Sequence, residues 1–233
     1  MKGLIFHNAG ITNATGYAEK ALKESGFKFT NQPANATHII VDAPYRENTL
    51  PDDLPVTATV IGGNLPAMIH PTIDLLQDPL YLAENANITA HCAVRLALEH
   101  LPVVLPGCRV LVIGWGRIGK CLARLLRQMG AIVTVAARKE YDRAMLEALD
   151  YDTTDIPNIP QQNIRVVFNT VPTPILKAED LPPDCLKIEL ASAPGIIGGN
   201  VTDGRKLPGR YAPESSGELI ARSILRLLPE VIT

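Results

Sequence analysis

Gly114, Gly116 and Gly119 stand in Gly-x-Gly-x-x-Gly spacing, and glycines so spaced can bring a backbone against a phosphate. The first permits a tight turn, the second lets a pyrophosphate approach the main chain, and the third lets a helix and a strand pack closely. The spacing gains meaning from its flanks. Arg109-Val-Leu-Val-Ile113 reads as a buried parallel strand. Lys120 to Met129 carries apolar residues at helical intervals (Leu122, Leu125, Leu126, Met129), with Ile118 in register before them and Gly130 as the stop. Ala131 to Ala136 reads as the next strand. A helix that starts there points free N–H groups and a partial positive charge at the phosphates. Gly114, Gly116, Arg117, Ile118 and Gly119 are therefore the expected pyrophosphate cradle of a dinucleotide.

The end of the second strand bears on which dinucleotide. A site selective for NAD places Asp or Glu there, about twenty residues after the turn, to bind the ribose 2′-hydroxyl. This chain has Ala137, Arg138 and Lys139 instead. Two cations suit a 2′-phosphate that a carboxylate would repel, so NADP is expected, with NAD as the alternative. Two further buried strands, Arg165–Thr170 and Leu186–Leu190, run into Asn169-Thr170-Val171-Pro172 and Ala191-Ser192. Ligands of open parallel sheets sit beyond the carboxyl ends of the strands, and these ends carry the small or hydroxyl residues that a flat cofactor ring requires.

These residues need a scaffold, and the chain has the means for one. Its 233 residues, 46% apolar and 20% charged, suffice for one large or two small domains. A net charge of −2 gives no electrostatic reason for a nucleic-acid or membrane partner. Cys92, Cys108, Cys121 and Cys185 lack C-x-x-C spacing; neither a metal site nor a disulfide framework is expected, and reduced thiols in the cytoplasm are the default. The apolar run after Met1 is too short for a secretory leader, and no stretch is long enough to span a bilayer.

Before the glycine motif, strands are expected at Gly3–Phe6, Thr37–Val41 and Val56–Ile61, with a helix at Thr15–Ser25 and a connecting segment at Met68–Leu82. The three histidines in this part, His7, His38 and His70, read as packed or surface residues. From Asn87 the helical pattern returns, and Pro102 ends it. Its other face carries His91, Arg95 and Glu99 at i, i+4 and i+8, which reads either as a solvated stripe or as His91 in a first turn looking into a cleft between domains. A helix is expected at Glu140–Leu149, a glycine-rich loop at Gly195–Pro208, and a strongly amphipathic helix after Pro213.

Several runs together resemble the family of the dipicolinate synthase A subunit. They are Asn87-Ile-Thr-Ala-His-Cys-Ala93, Val112 to Gly119, Gly130 to Arg138, Phe168-Asn-Thr-Val-Pro172, Ile188 to Gly195, and Leu207-Pro-Gly-Arg-Tyr-Ala-Pro-Glu-Ser-Ser-Gly217. The resemblance covers residues 85–228. The glycine motif alone is shared with D-2-hydroxyacid dehydrogenases; the other runs are more specific. Where the family has Thr-Ala-Glu-Gly, this chain has Thr89-Ala-His91-Cys92, and where it has a basic residue before Pro-Gly, this chain has Ala193.

The resemblance implies an α/β protein with a doubly wound parallel Rossmann sheet at 87–212. A smaller, flavodoxin-like α/β domain at 1–86 is completed by the terminal helix at 213–233, and crossing helices join the two. It implies NADP-linked oxidation of dihydrodipicolinate to dipicolinate during sporulation, with a flavoprotein-like second chain (the synthase's B subunit) as partner and a homodimer or other homo-oligomer. A small dicarboxylate substrate needs cations, for which Arg210 and Arg95 are candidates; His91 would be the proton relay. Two other readings stand beside this one. A D-2-hydroxyacid dehydrogenase relative uses an Arg, a Glu and a His from the nucleotide domain, but no histidine follows His100. A non-catalytic NADP-binding subunit is the third.

Overall fold

The computed structural model describes residues 3–47, 49–159 and 163–228. The chain opens with β1 (Ile5–Asn8), α1 (Asn13–Glu24), β2 (Lys28–Phe29), β3 (His38–Ile40), β4 (Thr59–Gly62), β5 (Thr72–Asp74) and α2 (Pro79–His100). There follow β6 (Arg109–Ile113), α3 (Arg117–Gln128), β7 (Ile132–Ala136), α4 (Glu140–Ala148), β8 (Asp152–Thr154) and β9 (Val166–Asn169). Then come β10 (Leu176–Lys177), β11 (Leu186–Glu189), β12 (Ile196–Ile197), β13 (Thr202–Asp203), α5 (Leu207–Tyr211) and α6 (Pro213–Leu227). Residues 229–233, the end of the expected terminal helix, lie outside the described residues. No described helix is long and apolar enough to cross a membrane.

The chain divides into two compact units, residues 1–88 with 208–233, and residues 89–207. The first is built on a five-stranded sheet in the order β2-β1-β3-β4-β5, with every pair parallel. That is the strand order of flavodoxin-type sheets. The faces differ from a full flavodoxin layer, however. One face buries Phe6, Ile40 and Ile61 against Leu22 of α1 and Leu219, Ile220 and Ile224 of α6. The other buries Ile39, Val41 and Val60 under residues of the long connection after β3, among them Tyr45, Leu50 and Leu54.

Helix α2 starts at Pro79, eight residues before the start expected from periodicity, and the expected connecting segment contains β5 and this first turn. Asp78 supplies the reason: its carboxylate accepts from the backbone N–H of Tyr81 (2.8 Å) and Leu80 (3.4 Å), and Pro79 follows in the position where a missing N–H costs nothing. Arg226 of α6 grips the same carboxylate with both terminal nitrogens, and that bond holds the Asp78 carboxyl below its ordinary range. One acid thus starts α2 and ties it to α6.

The second unit carries a six-stranded sheet in the order β13-β11-β9-β6-β7-β8, parallel throughout. Numbered from β6, this is the doubly wound order 3-2-1-4-5-6, which reverses between β6 and β9. Leu111, Ile113 and Val167 face a core closed by Ile159, Ile164, Leu181 and Ile196. The alternate residues Val110, Val112 and Phe168 are buried on the opposite face, where α3 packs on β6 and β7. Strands β8, β10, β12 and β13, absent from the sequence expectations, are two or three residues long, and the expected loop 195–208 holds two of them.

The packing of α1 on α6 depends on Gly217. A Cβ there would lie 2.4 Å from Cβ of Tyr17 and 2.5 Å from the carbonyl oxygen of Ala14. Gly217→Val should therefore push the helices apart and destabilise the protein by about 2–3 kcal/mol, the scale of overpacking a tight core. Urea denaturation checks this, and an unchanged midpoint would contradict the close approach.

Candidate functional site

At the reversal of the second sheet the chain is crowded to the limit that glycine allows. Gly114 leaves β6 with φ of 102°, a conformation that side chains strain to adopt, and its N–H donates to the carbonyl of Ala136 (2.9 Å). A Cβ on Gly114 would meet Oγ1 of Thr170 at 2.4 Å, and one on Gly119 would meet the Gly114 carbonyl oxygen at 2.1 Å. Thr170, at the end of β9, donates to the Ile113 carbonyl through its backbone N–H (3.0 Å) and its hydroxyl (2.8 Å). These two glycines are thus fixed by protein packing.

Gly116 is different. Its φ of −81° suits any residue, and a Cβ there would meet nothing within 4 Å. It is the N-cap of α3, so no side chain caps that helix, and the unpaired N–H groups of its first turn suit an anion. Arg117 is exposed beside it and Ile118 half-buried. Trp115 braces the turn: its ring meets Tyr151 edge-on at 5.8 Å, with the Lys120 ammonium 5.7 Å from its own ring centroid and the Arg127 guanidinium 4.0 Å from that of Tyr151.

After β7, Ala137 is buried while Arg138 and Lys139 are exposed. Neither cation takes part in an ion pair among the described residues. A third cation, which sequence reasoning missed, supports them. Arg143, one turn into α4, donates from Nη1 to the carbonyls of Ala137 (2.8 Å) and Arg138 (3.0 Å) and so fixes the path of this loop.

The ends of β9 and β11 are joined by a residue to which sequence reasoning gave no role. Glu189 is 4% exposed, and its carboxylate accepts from Asn169 Nδ2 (2.8 and 3.0 Å) and from the backbone N–H groups of Ala191, Gly195 and Ile196 (3.0, 2.8 and 3.2 Å). Asn169, expected at the cofactor, is fully buried, and its amide is engaged with Glu189 and with both backbone groups of Val171. It holds the loop after β9. Thr170 and Val171 are half-buried, Pro172 and Ser192 exposed, and Ala191 buried. The signal for Glu189 in the sequence was an acid where strict burial of a parallel strand calls for an apolar residue.

The structure groups His91 with other residues than these. The histidine is exposed and lines a groove of about 420 Å³ with Arg95 and Glu99 of α2 and with Leu125 and Met129 at the far end of α3. It is also the thirteenth residue of α2 and not in a first turn, because that helix starts at Pro79. Arg95 pairs with Glu99 at 3.3 Å along the same stripe. Arg210 lies in α5, exposed, its guanidinium 4.9 Å from the ring centroid of Tyr211. Burial pushes the Cys185 thiol up to about 11 and raises Cys92 and Cys108 as well, which leaves these thiols poor nucleophiles. No cluster of three or more potential metal ligands occurs among the described residues.

No protein-family profile matches the chain. Its sequence is 29% identical over 160 residues to the A subunit of dipicolinate synthase from Bacillus subtilis, an alignment that takes in 63% of this chain and 54% of that protein. The match thus spans about half the length of the curated relative. Among solved structures, the dipicolinate synthase A chain from Bacillus subtilis superposes with a TM-score of 0.80 at 21% identity, covering 100% of this chain and 98% of that one. The A subunit of dipicolinate synthase from Bacillus halodurans gives 0.79 at 19% identity, covering 97% and 98%. A transhydrogenase from Sinorhizobium meliloti gives 0.75 at 15%, covering 97% and 94%. At such identities the superpositions speak for the fold alone; the sequence match shows similarity to the dipicolinate synthase A subunit over 160 residues.

Proposed function

We propose that this protein is an NADP-dependent oxidoreductase of the dipicolinate synthase A kind, which oxidises a small dicarboxylate such as dihydrodipicolinate. The observation that carries the reading is Gly116. Neither its backbone conformation nor its neighbours require a glycine, yet it sits at the sheet reversal, at the uncapped start of α3, where a pyrophosphate needs bare backbone. When bound, the nicotinamide accepts the hydride; the chain's part is to bind, orient and shield. The match to a protein described as one subunit of dipicolinate synthase supports a second subunit, for which a flavoprotein-like chain is our candidate; the dicarboxylate substrate and assembly with further copies of this chain are part of the proposal. Sporulation and the cytoplasm as the setting belong to the same proposal. A non-catalytic NADP-binding subunit is the runner-up, favoured by Ala193 in the place of a basic residue. A D-2-hydroxyacid dehydrogenase reading lacks a histidine beyond His100.

Gly116→Val tests the cradle. The side chain fills open space, so thermal stability should stay unchanged while affinity for the dinucleotide falls by tenfold or more, about 1.4 kcal/mol. Calorimetry measures both ligands, NADPH and NADH. Retained affinity would remove the glycine turn from the site.

For cofactor choice, the exposed Arg138 and Lys139, with Arg143 fixing their loop, support a 2′-phosphate site. Changing Arg138→Asp together with Lys139→Ser should weaken NADPH at least about tenfold more than NADH, since charge-assisted phosphate contacts contribute roughly 1.5–3 kcal/mol each. A wild-type protein that prefers NADH would overturn the assignment.

The two residues proposed for chemistry separate in their surroundings. His91 shares its groove with a paired Arg95–Glu99 stripe and apolar side chains of α3, which supports the solvated-face reading. His91→Ala is therefore expected to keep turnover within twofold, whereas Arg210→Ala should raise KM for a dicarboxylate and leave NADPH affinity intact. Steady-state kinetics on small dicarboxylates checks both, and loss of turnover in His91→Ala with intact cofactor affinity would return His91 to catalysis.

A further inference from the structure

We propose that Glu189 is a positioning residue: its carboxylate binds the loops after β9 and β11 into one rigid rim that receives the nicotinamide half of the dinucleotide. The inference rests on the nucleotide-binding reading above.

A carboxylate is an acceptor only, with room for about four hydrogen bonds. Glu189 uses that capacity in one direction. Its oxygens take the Asn169 amide from one loop and three backbone N–H groups, those of Ala191, Gly195 and Ile196, from the other. Burying a charge is costly unless it is fully hydrogen-bonded, and no cationic side chain forms an ion pair with Glu189 among the described residues. The backbone dipoles of the loop therefore compensate the charge, and they can do so only while the loop stays wrapped around it. Gly195 allows the wrap, since a Cβ there would lie 2.3 Å from Nδ2 of Asn169 and 2.5 Å from the Val171 carbonyl oxygen.

An acid is not needed to hold the sheet together at this point. The ladder bonds of β11 to β9 are made by backbone alone, and the partners of the Glu189 side chain are the last residue of β9, the loop residues Ala191 and Gly195, and Ile196 at the start of the two-residue β12. What depends on it is the placement of the exposed loop residues, Pro172 on one side and Ser192 to Pro194 on the other. These flank the reversal of the sheet, past Thr170 from the glycine turn. The adenosine half would be held elsewhere, at Gly116 and the Arg138–Lys139 loop, and no hydrogen bond joins either to Glu189 among the described residues.

The separation gives the test. The ligands are 2′,5′-ADP, which has only the adenosine half, and NADPH, each titrated against the full-length wild type, Glu189→Gln and Asn169→Ala. Trp115 is the single tryptophan of the chain and lies in the glycine turn, so its fluorescence reports binding alongside calorimetry. Glutamine must turn an NH2 group toward backbone donors, which should loosen the loops. NADPH affinity is expected to fall tenfold or more in Glu189→Gln while 2′,5′-ADP affinity stays within twofold. Asn169→Ala, which cuts the link between the loops together with the Asn169 bonds to Val171 and leaves the backbone donors on Glu189 in place, should show the same selectivity and keeps the test open if Glu189→Gln fails to fold. Equal losses for both ligands, or none, would overturn the inference while leaving nucleotide binding in place. A wild type that binds neither ligand would overturn the nucleotide reading and this inference with it.

Discussion

The second unit depends on a close approach of backbone to backbone. The start of α3 lies so near the end of β6 that a single Cβ on Gly119 would sit 2.1 Å from the Gly114 carbonyl oxygen. Two glycines let the helix begin directly above the strand, and this aims its first-turn N–H groups at the space beyond the sheet. Thr170 completes the constraint from the neighbouring strand by closing on Ile113 with backbone and hydroxyl together. A larger residue at either glycine would displace the helix, and the placement of its first-turn N–H groups would go with it.

Around that fixed point the polar groups fall into two sets with different physics. At the glycine turn and the end of β7 they are exposed or unpaired: the N–H groups of an uncapped helix, Arg117, Arg138 and Lys139. Such groups remain available to a charged ligand. At the ends of β9 and β11 they are buried and mutually satisfied, with Asn169 and Glu189 as the centre. A satisfied buried network rigidifies its surroundings. The arrangement suits a long ligand whose charged half is bound by exposed groups and whose flat, reactive half needs a stiff frame.

The first unit solves a different problem with one residue. Asp78 caps α2 and binds Arg226 of α6, so residues far apart in the chain share a carboxylate. Helix α6 then lies on α1 through Gly217. The exposed stripe of His91, Arg95 and Glu99 on α2 takes no part in either arrangement.

The sequence by itself determined the elements with strong local patterns. Strand β6 runs over Arg109 and the four apolar residues that follow it, as expected, and α3, β7, α4 and α6 fall within a few residues of their periodicities, because period and length suffice when the buried face is continuous. The glycine turn between β6 and α3 was legible for the same reason. Strands of two or three residues, such as β8 and β13, are too short to show a period, and only pairing with a neighbour makes them strands. The start of α2 was written as Asp78-Pro79, but apolar spacing from Asn87 masked that signal. Tertiary structure alone decided the strand order, since pairing between β6 and β9 joins residues more than fifty apart and no local pattern encodes it. It alone decided the partners of Glu189 too: an acid in a buried strand signals a carboxylate in need of donors, but only folding brings the N–H groups of Ala191, Gly195 and Ile196 and the Asn169 amide onto it.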